Sequence, residues 1–518
     1  MPDIKRNSLI IYLAPLLGGT ALILAFPPFE QGWLAWFALL PLLWFSLQTE
    51  PRRAFCGGFL FGLPLHLYLN LYLSKVLFGY LSPTLAVITM ILIVVILSFF
   101  YALFALATSL NRRLGNPFLL TVAIPALWVL TEYLRSLGFI GYTVGFLAHT
   151  QWRYPALLGL ASTFGSAGLS FMIVFFQSVL LLGLKRTLRG KNLSVAIALF
   201  LALLLGGALA PALTPVEKAE APLHTALIQG CSDPDEILSR GKGVILKRYL
   251  ALTREALEKE PRTELVLWPE TVVTLRSGEE GPLQRWEMVS LAEELEIEIL
   301  YGAQLYTQEG LYNAMILLAP GQREPQIYRK QRLVPFVESF PLEDLLNRWL
   351  DLDIIIGSYR AGDEYTLFDH QGIPLAGVIC FESYFGDYTR HFARRGGQHL
   401  FIATNDAWFG ETIGLELHAQ VASLRAAELG TGVTQVANSG ISVSFDYRGR
   451  ELLRTGKAER GCYILTLDLA RRPTLYRYGG DFVPLLCLLL AAGAFFAALW
   501  RPKNLSPPPA ASPHRRSR

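Results

Sequence analysis

Residues Gly377–Ser383 read GVICFES. Just upstream, Ile373, Leu375, Val378 and Ile379 form an apolar run bounded on one side by Gly372 and Pro374. The run breaks into a polar cluster of Cys380, Glu382 and Ser383, as a buried strand does where it ends at a site. A cysteine in that place is a nucleophile if a neighbour takes its proton. Taken alone, it is more often a small buried hydrophobe.

Two other stretches bear on that choice. Leu265–Glu270, LVLWPE, is an apolar strand that runs into Trp268-Pro269 and then a carboxylate. Pro269 cannot continue a central strand, so Glu270 sits on a strand-to-loop exit. Tyr328–Glu338, YRKQRLVPFVE, sets Arg329, Lys330 and Arg332 before an apolar Leu333-Val334-Pro335-Phe336, with Glu338 following. Each has a plainer reading: a solvated loop glutamate and a basic surface turn. The order Glu270, Lys330, Cys380 joins them into one chemistry, in which a base, a cation and a thiol act on a carbonyl.

The N-terminal half is of another kind. The chain has 518 residues, 52% hydrophobic and 17% charged, with a mean hydropathy of +0.36. A soluble protein carries nearer a quarter charged residues. Apolar runs at Leu9–Phe26, Trp33–Leu47, Ala54–Leu73, Leu85–Thr108, Phe118–Leu134, Leu158–Leu184 and Leu193–Leu213, and an eighth at Phe482–Trp500, approach the ~20 residues that span a bilayer. The expected division is a membrane domain over residues 1–216, a globular domain over 217–470, a C-terminal span over 471–500 and a disordered basic tail over 501–518. Net charge of +4 gives no argument for nucleic acid. Five scattered cysteines make no disulfide framework or zinc motif, although Cys231 and Cys462 are candidates to pair.

Basic residues alternate across the spans. Lys5 and Arg6, Arg52 and Arg53, Arg112 and Arg113, Lys185 to Lys191, and Arg501 onward fall on one side. The intervening loops hold only Lys75, or Arg135 and Arg153. The positive-inside rule then makes the N-terminus and the tail cytoplasmic and puts Glu217–Asp468 outside. The loop Arg135–Pro155 is rich in glycine and aromatics and suits the headgroup level, as a floor beneath the outer domain. Glu132 and Arg135, at a span end, are placed to pair.

In the globular part, His224–Ile228, Leu265–Trp268, Ile297–Leu300, Ala314–Leu318, Leu375–Ile379, Leu400–Ala403, Val433–Ala437, Val443–Phe445 and Tyr463–Leu467 read as strands. Gly243–Lys259, Leu283–Leu295 and His418–Leu429 read as helices. This is a layered α/β domain. Asn405–Gly410, NDAWFG, follows a strand and places Trp408 and Phe409 near the same sheet edge as Glu270 and Cys380. Arg425 and Glu428 have the spacing of a local helical ion pair.

The Glu270, Lys330, Cys380 triplet resembles the carbon–nitrogen hydrolase (nitrilase) superfamily, whose site is a Glu–Lys–Cys triad. With the apolar half included, nearly the whole chain resembles the apolipoprotein N-acyltransferase family, membrane enzymes that add the third acyl chain to bacterial lipoproteins. The resemblance implies an α-β-β-α sandwich. It makes Cys380 the nucleophile, Glu270 the base, Lys330 the oxyanion cation and Glu338 a supporting carboxylate. Phe381 and Glu382 match the family's Cys-aromatic-Glu, Trp408 and Phe409 flank the site, and Asn438–Ser442, NSGIS, resembles a further signature. It also implies a phospholipid acyl donor, a diacylated prolipoprotein acceptor, no metal or organic cofactor, a monomer, and a bacterial inner membrane with the catalytic domain on its outer face. A membrane-tethered amidase that hydrolyses a small amide, and a scaffold with a degenerate domain, are the rival readings. Three positions depart from the family pattern: Val337 replaces a glycine, Gln435 an arginine, and Ser232–Leu238 lacks a tryptophan.

If the alternation of basic residues sets the topology, Cys380 faces outward. A membrane-impermeant thiol reagent should then label it in intact spheroplasts. Labelling only after the membrane is broken would reverse the orientation.

Overall fold

The computed structural model describes residues 9–499 except 115, 233–235, 237–238, 277–282, 323, 336 and 340–358. The expected disordered tail lies outside the described residues, as do Lys5 and Arg6.

The N-terminal half is helical: α1 (Leu13–Ile23), α2 (Leu40–Gln48), α3 (Pro51–Asn70), α4 (Leu73–Tyr80), α5 (Pro83–Asn111), α6 (Pro117–Ser136), α7 (Pro155–Leu184) and α8 (Lys191–Leu209). Proline opens α3, α5, α6 and α7, a position that needs no N–H donor and already wants φ near −65°. Among the described residues four helices are long and apolar enough to cross a membrane: α5, α6, α7, and α8 with its following turn. α3 and α4 add a fifth if their pair, bent by 63°, counts as one span. The first, second and last of the expected stretches form shorter apolar helices, Leu9–Ile23, Gly32–Gln48 and Phe482–Ala494. Pro27 and Pro28 separate the first two, and the second starts as a 3-10 turn, Gly32–Trp36, before α2. Glu132 and Arg135 do not pair. Glu132 accepts the Leu147 N–H at 2.8 Å, while Arg135 turns to His66 Nε2 at 3.2 Å and the Tyr101 hydroxyl at 3.4 Å.

Two sheets follow. The first has the order β13-β1-β2-β4-β5-β6, with β3 on β4; the second is β12-β11-β10-β9-β8-β7. Their strands are β1 (Leu223–Gln229), β2 (Leu265–Leu267), β3 (Val273–Arg276), β4 (Glu298–Thr307), β5 (Gly310–Leu318), β6 (Gln326–Arg329), β7 (Leu367–His370), β8 (Ile373–Ile379), β9 (His399–Thr404), β10 (Gly432–Ala437), β11 (Val443–Phe445), β12 (Glu451–Arg454) and β13 (Gly461–Leu467). β1, β2 and β4 run parallel, as do β8, β9 and β10. Period-two alternation splits each strand between two cores. Leu227, Leu265, Leu267 and Leu300 face Val378, Leu400 and Ile402 of the other sheet. Ala226, Ile228, Val266 and Ile299 face α9 (Lys242–Lys259) and α10 (Leu283–Leu295). With α11 (Gly386–Arg394) and α12 (Gly414–Leu429) on the second sheet, the layers are α-β-β-α. The nine strands and three helices read from the sequence are all present. β3, β6, β7, β12 and α11 were not read, being four-residue strands and one short polar helix. Cys231 and Cys462 do not pair. The Cys231 thiol meets the Ala458 carbonyl at 2.9 Å, and the Cys462 thiol meets Lys259 Nζ at 3.4 Å.

The sheet layers dock on a break in a membrane helix. At Gly165 the backbone of α7 leaves the helical region, with φ 69°. A Cβ there would meet the Tyr476 ring at 2.6 Å, so glycine alone fits the close approach. The break frees the Ser166 N–H, which donates to Glu428 Oε1 at 2.6 Å. Glu428 also pairs with Arg425 at 2.9 Å, with side chains 1% and 3% exposed. The pair is local, as read, but it is buried, and through Ser166 it also ties the two halves together. Removing one partner of a buried pair leaves the other charge uncompensated and costs about 3–5 kcal/mol. Glu428→Ala should accordingly lower the unfolding midpoint of the detergent-solubilised protein, while Leu452→Ala on the exposed edge strand should not.

Candidate active site

The parallel strands deliver their polar residues to one edge of the sandwich. Glu270 leaves β2 through Pro269, where Gly302 of β4 lets the chains touch; a Cβ on Gly302 would lie 2.5 Å from Glu270 Cα. Lys330 follows β6, and its N–H is fixed on the Asn313 carbonyl of β5 at 2.8 Å. Cys380 ends β8 and opens a 3-10 turn, Cys380–Tyr384, with φ at +49°. That left-handed conformation is unfavourable for a residue with a Cβ and persists only where the surroundings fix it. Glu382 provides much of that fixing. Its carboxylate accepts the Ile379 N–H at 2.8 Å, the Gln331 N–H at 2.7 Å and the Tyr328 hydroxyl at 2.7 Å. One buried carboxylate thus ties the cysteine turn to the lysine loop.

Lys330 is 1% exposed and lies between two carboxylates, Glu338 at 2.9 Å and Glu270 at 3.4 Å. Glu338, placed in the sequence beside Arg329 and Arg332, bonds to neither and serves Lys330. Its other oxygen accepts the Val334 N–H at 2.8 Å. Asn313, which the sequence reading missed, bridges both acids through Nδ2, at 2.7 Å to Glu270 and 2.9 Å to Glu338. Its signal was an amide inside the apolar strand LYNAMILL. The Asn405 N–H completes the set, donating to Glu270 Oε2 at 2.9 Å. A cleft lined by Ser232, Lys242, Thr271, Asn405 and Asn438 opens beside Glu270.

The electrostatics suit a base and a resting thiol. Burial pushes the Glu270 carboxyl above its ordinary range, Lys330 pulls it down, and Glu338 pushes it up again. Burial alone would lower the Lys330 ammonium, but the Glu338 and Glu270 carboxylates outweigh it and hold the charge. Burial pushes the Cys380 thiol well up, Glu270 adds to this, and Lys330 opposes it. The cysteine is therefore held as a neutral thiol, which a base must deprotonate before it can react.

Asp406 and His418, also missed, stand behind the cysteine. Donor atoms of Cys380, Asp406 and His418 lie within 4.8 Å of one another. This is not a metal cradle as it stands, because both nitrogens of His418 are hydrogen-bonded, Nδ1 to Asp406 at 2.9 Å and Nε2 to the Cys380 carbonyl at 3.3 Å. Ser383 joins them through its hydroxyl. Of the aromatics, Phe381 packs on Phe385 at 5.0 Å. Trp408 is 40% exposed, and Phe409 meets Tyr72, just past α3, edge-on at 4.9 Å.

Residues 18–179 match the family described as the apolipoprotein N-acyltransferase N-terminal domain, and residues 225–475 match the carbon-nitrogen hydrolases. An apolipoprotein N-acyltransferase of Pseudomonas putida is 30% identical over 457 residues, covering 85% of this chain and 87% of that protein. The chain belongs to the apolipoprotein N-acyltransferase family. A second member, from Geobacter metallireducens, is 29% identical over 96% of this chain and 97% of its own length. Among solved structures, Saccharomyces cerevisiae Nit3, a member of branch 10 of the nitrilase superfamily, has 17% identity and a TM-score of 0.40. It covers 49% of this chain and 93% of its own. The chain is thus an acyltransferase, and lipoprotein N-acylation is the reaction that gives its family its name.

Lys330 depresses both the Glu270 carboxyl and the Cys380 thiol, so its removal has a defined sign. Lys330→Met should slow alkylation of Cys380 by iodoacetamide by about ten- to a thousandfold, the worth of one nearby opposite charge. It should also move the acidic limb of the alkylation profile to higher pH, because Glu270 must lose its proton to act and would hold it more tightly. An unchanged profile would mean that Lys330 does not act on the thiol.

Proposed function

We propose that this enzyme moves an acyl chain from a phospholipid to the α-amine of a diacylglyceryl-cysteine at a lipoprotein N-terminus, through a thioester on Cys380. The supporting observation is that the nucleophile's surroundings rest on the membrane half. Phe409 of the site loop packs on Tyr72 at 4.9 Å. The Thr143 hydroxyl donates to the Tyr384 carbonyl at 3.4 Å, four residues past the cysteine. An ester held in the outer leaflet can meet this thiol without leaving the lipid.

The steps follow from the charges. Glu270 takes the Sγ proton, and the thiolate adds to the sn-1 ester carbonyl. Lys330 Nζ and the Phe381 N–H hold the oxyanion. As the tetrahedral adduct collapses, the C–O bond breaks and Glu270 returns its proton to the lysophospholipid alkoxide. The acceptor amine then adds to the thioester, Glu270 takes the amine proton, and the C–S bond breaks to leave an amide and a thiolate that is reprotonated. Membrane spans from residues 1–216 and 471–500 would hold the catalytic domain, residues 217–470, on the outer face of a bacterial inner membrane, as the basic-residue alternation supports.

The two half-reactions separate experimentally. Protein mixed with phospholipid alone should gain one acyl mass, released by neutral hydroxylamine. Glu270→Gln should gain little, and Cys380→Ser none that hydroxylamine removes. A diacylglyceryl peptide with a free α-amine should discharge the adduct, and the same peptide with a blocked amine should not. Clearance by water as fast as by amine would favour hydrolysis. N-acylation with no acyl-enzyme would remove Cys380 from the path.

A further inference from the structure

His418 lies in the first turns of α12, and its side chain is 1% exposed. Both ring nitrogens face acceptors. Nδ1 is 2.9 Å from Asp406 Oδ1. Nε2 is 3.3 Å from the Cys380 carbonyl and 3.1 Å from Ser383 Oγ. The Ser383 hydroxyl spends its own proton on that same carbonyl at 2.8 Å, so it offers His418 a lone pair. With the Ser383 proton on the carbonyl, each nitrogen faces only acceptors, an arrangement that an imidazolium with a proton on both nitrogens satisfies. Asp406 supplies the counter-charge and also accepts the Thr404 hydroxyl at 2.8 Å. The Tyr384 ring lies flat against the imidazole, 5.2 Å between centroids and 9° from parallel, as suits a cation.

The atom being held is informative. The Cys380 carbonyl and the Phe381 N–H belong to one planar peptide unit and point in opposite directions. Clamping the carbonyl fixes the direction of the N–H. A cation on the carbonyl also polarises the amide and makes that N–H a stronger donor. We infer that His418, paired with Asp406, is a positioning residue that aims and polarises the Phe381 N–H toward the oxyanion formed on Cys380. The inference rests on the acyl-transfer reading above. His418 touches no substrate and acts through one peptide plane.

The other charged or titratable groups facing this pair are the Cys380 thiol, Glu270, Lys330, Tyr384 and Tyr72. Burial alone would lower the His418 pKa, but Asp406 foremost, with Glu270 behind it, raises it above the ordinary value. Burial holds the Tyr384 hydroxyl far above its own range, so it stays neutral. The protonated ring is the working form. Acylation should therefore fail as pH rises through the His418 pKa, and loss of Asp406 should bring that failure to lower pH.

The test compares two reactions of the same thiol. Acylation by phospholipid forms an oxyanion; alkylation by iodoacetamide displaces iodide and forms none. His418→Phe should lower kcat for acyl-enzyme formation about a hundredfold, the scale of a misaimed catalytic group. KM for phospholipid and the alkylation rate should stay within about twofold on the same grounds. His418→Gln, which keeps one donor, should recover part of the loss. Asp406→Asn should move the alkaline limb of acylation to lower pH without slowing alkylation, because removing the Asp406 charge favours the thiolate. Wild-type kcat in His418→Phe, or an unmoved limb in Asp406→Asn, would overturn the inference. So would alkylation falling as far as acylation in all three variants, since that marks a mere prop for the fold. Loss of alkylation in His418→Phe alone passes the decision to His418→Gln and Asp406→Asn. Alkylation also reports the thiol without any acyl transfer. A wild-type protein that alkylates normally but forms no thioester would defeat the acyl-transfer reading itself, separately from the role of His418.

Discussion

One ammonium group organises the catalytic edge. Lys330 is nearly sealed from water between Glu338 and Glu270, and an unpaired charge in that position would be very costly. Two acids around one cation leave an excess negative charge, while burial foremost lifts the Glu270 carboxyl above its ordinary range, as the proposed base requires. Asn313 spreads that excess by donating to both acids with one nitrogen. The strand order follows the same need. β2, β4, β5 and β6 run in that order, so Glu270, Asn313 and Lys330 arrive from one side of a single sheet, with β4 between Glu270 and Asn313. Cys380 arrives from the other sheet.

The cysteine side is built on backbone rather than charge. A positive φ at Cys380 lifts the thiol out of the strand and turns the next peptide across the site. Glu382 secures that turn from the front through the Ile379 and Gln331 N–H groups. His418 and Ser383 secure it from behind through one carbonyl. On the proposed reading the fold separates two tasks, with proton transfer on the first sheet and aiming of the oxyanion donor on the second.

Much of this was legible in the sequence, and the reasons differ by residue. The strands ending at Glu270 and Cys380 announce themselves because a parallel strand buried on both faces is a near-continuous apolar run, and a polar residue at its end is conspicuous. The role of Glu338 needed the resemblance, since a glutamate near arginines reads as a surface pair. Asn313, Asp406 and His418 were invisible as a set because they lie on separate elements and meet only after the sheets pack. The second apolar stretch, which begins as a 3-10 turn, shows the limit of counting spans. Hydropathy registers composition, but Pro27-Pro28 and a 3-10 turn decide where a helix can run.

The break at Gly165 carries a consequence for selectivity. Glu428 grips the freed Ser166 N–H, and Thr143 reaches the Tyr384 carbonyl. The thiol is thereby pinned at one height relative to the helices beneath it. On the acyl-transfer reading proposed above, a nucleophile fixed in that way would work as a depth gauge. It would discriminate among lipids by how far below the interface the scissile bond lies, a coordinate that headgroup chemistry leaves almost untouched.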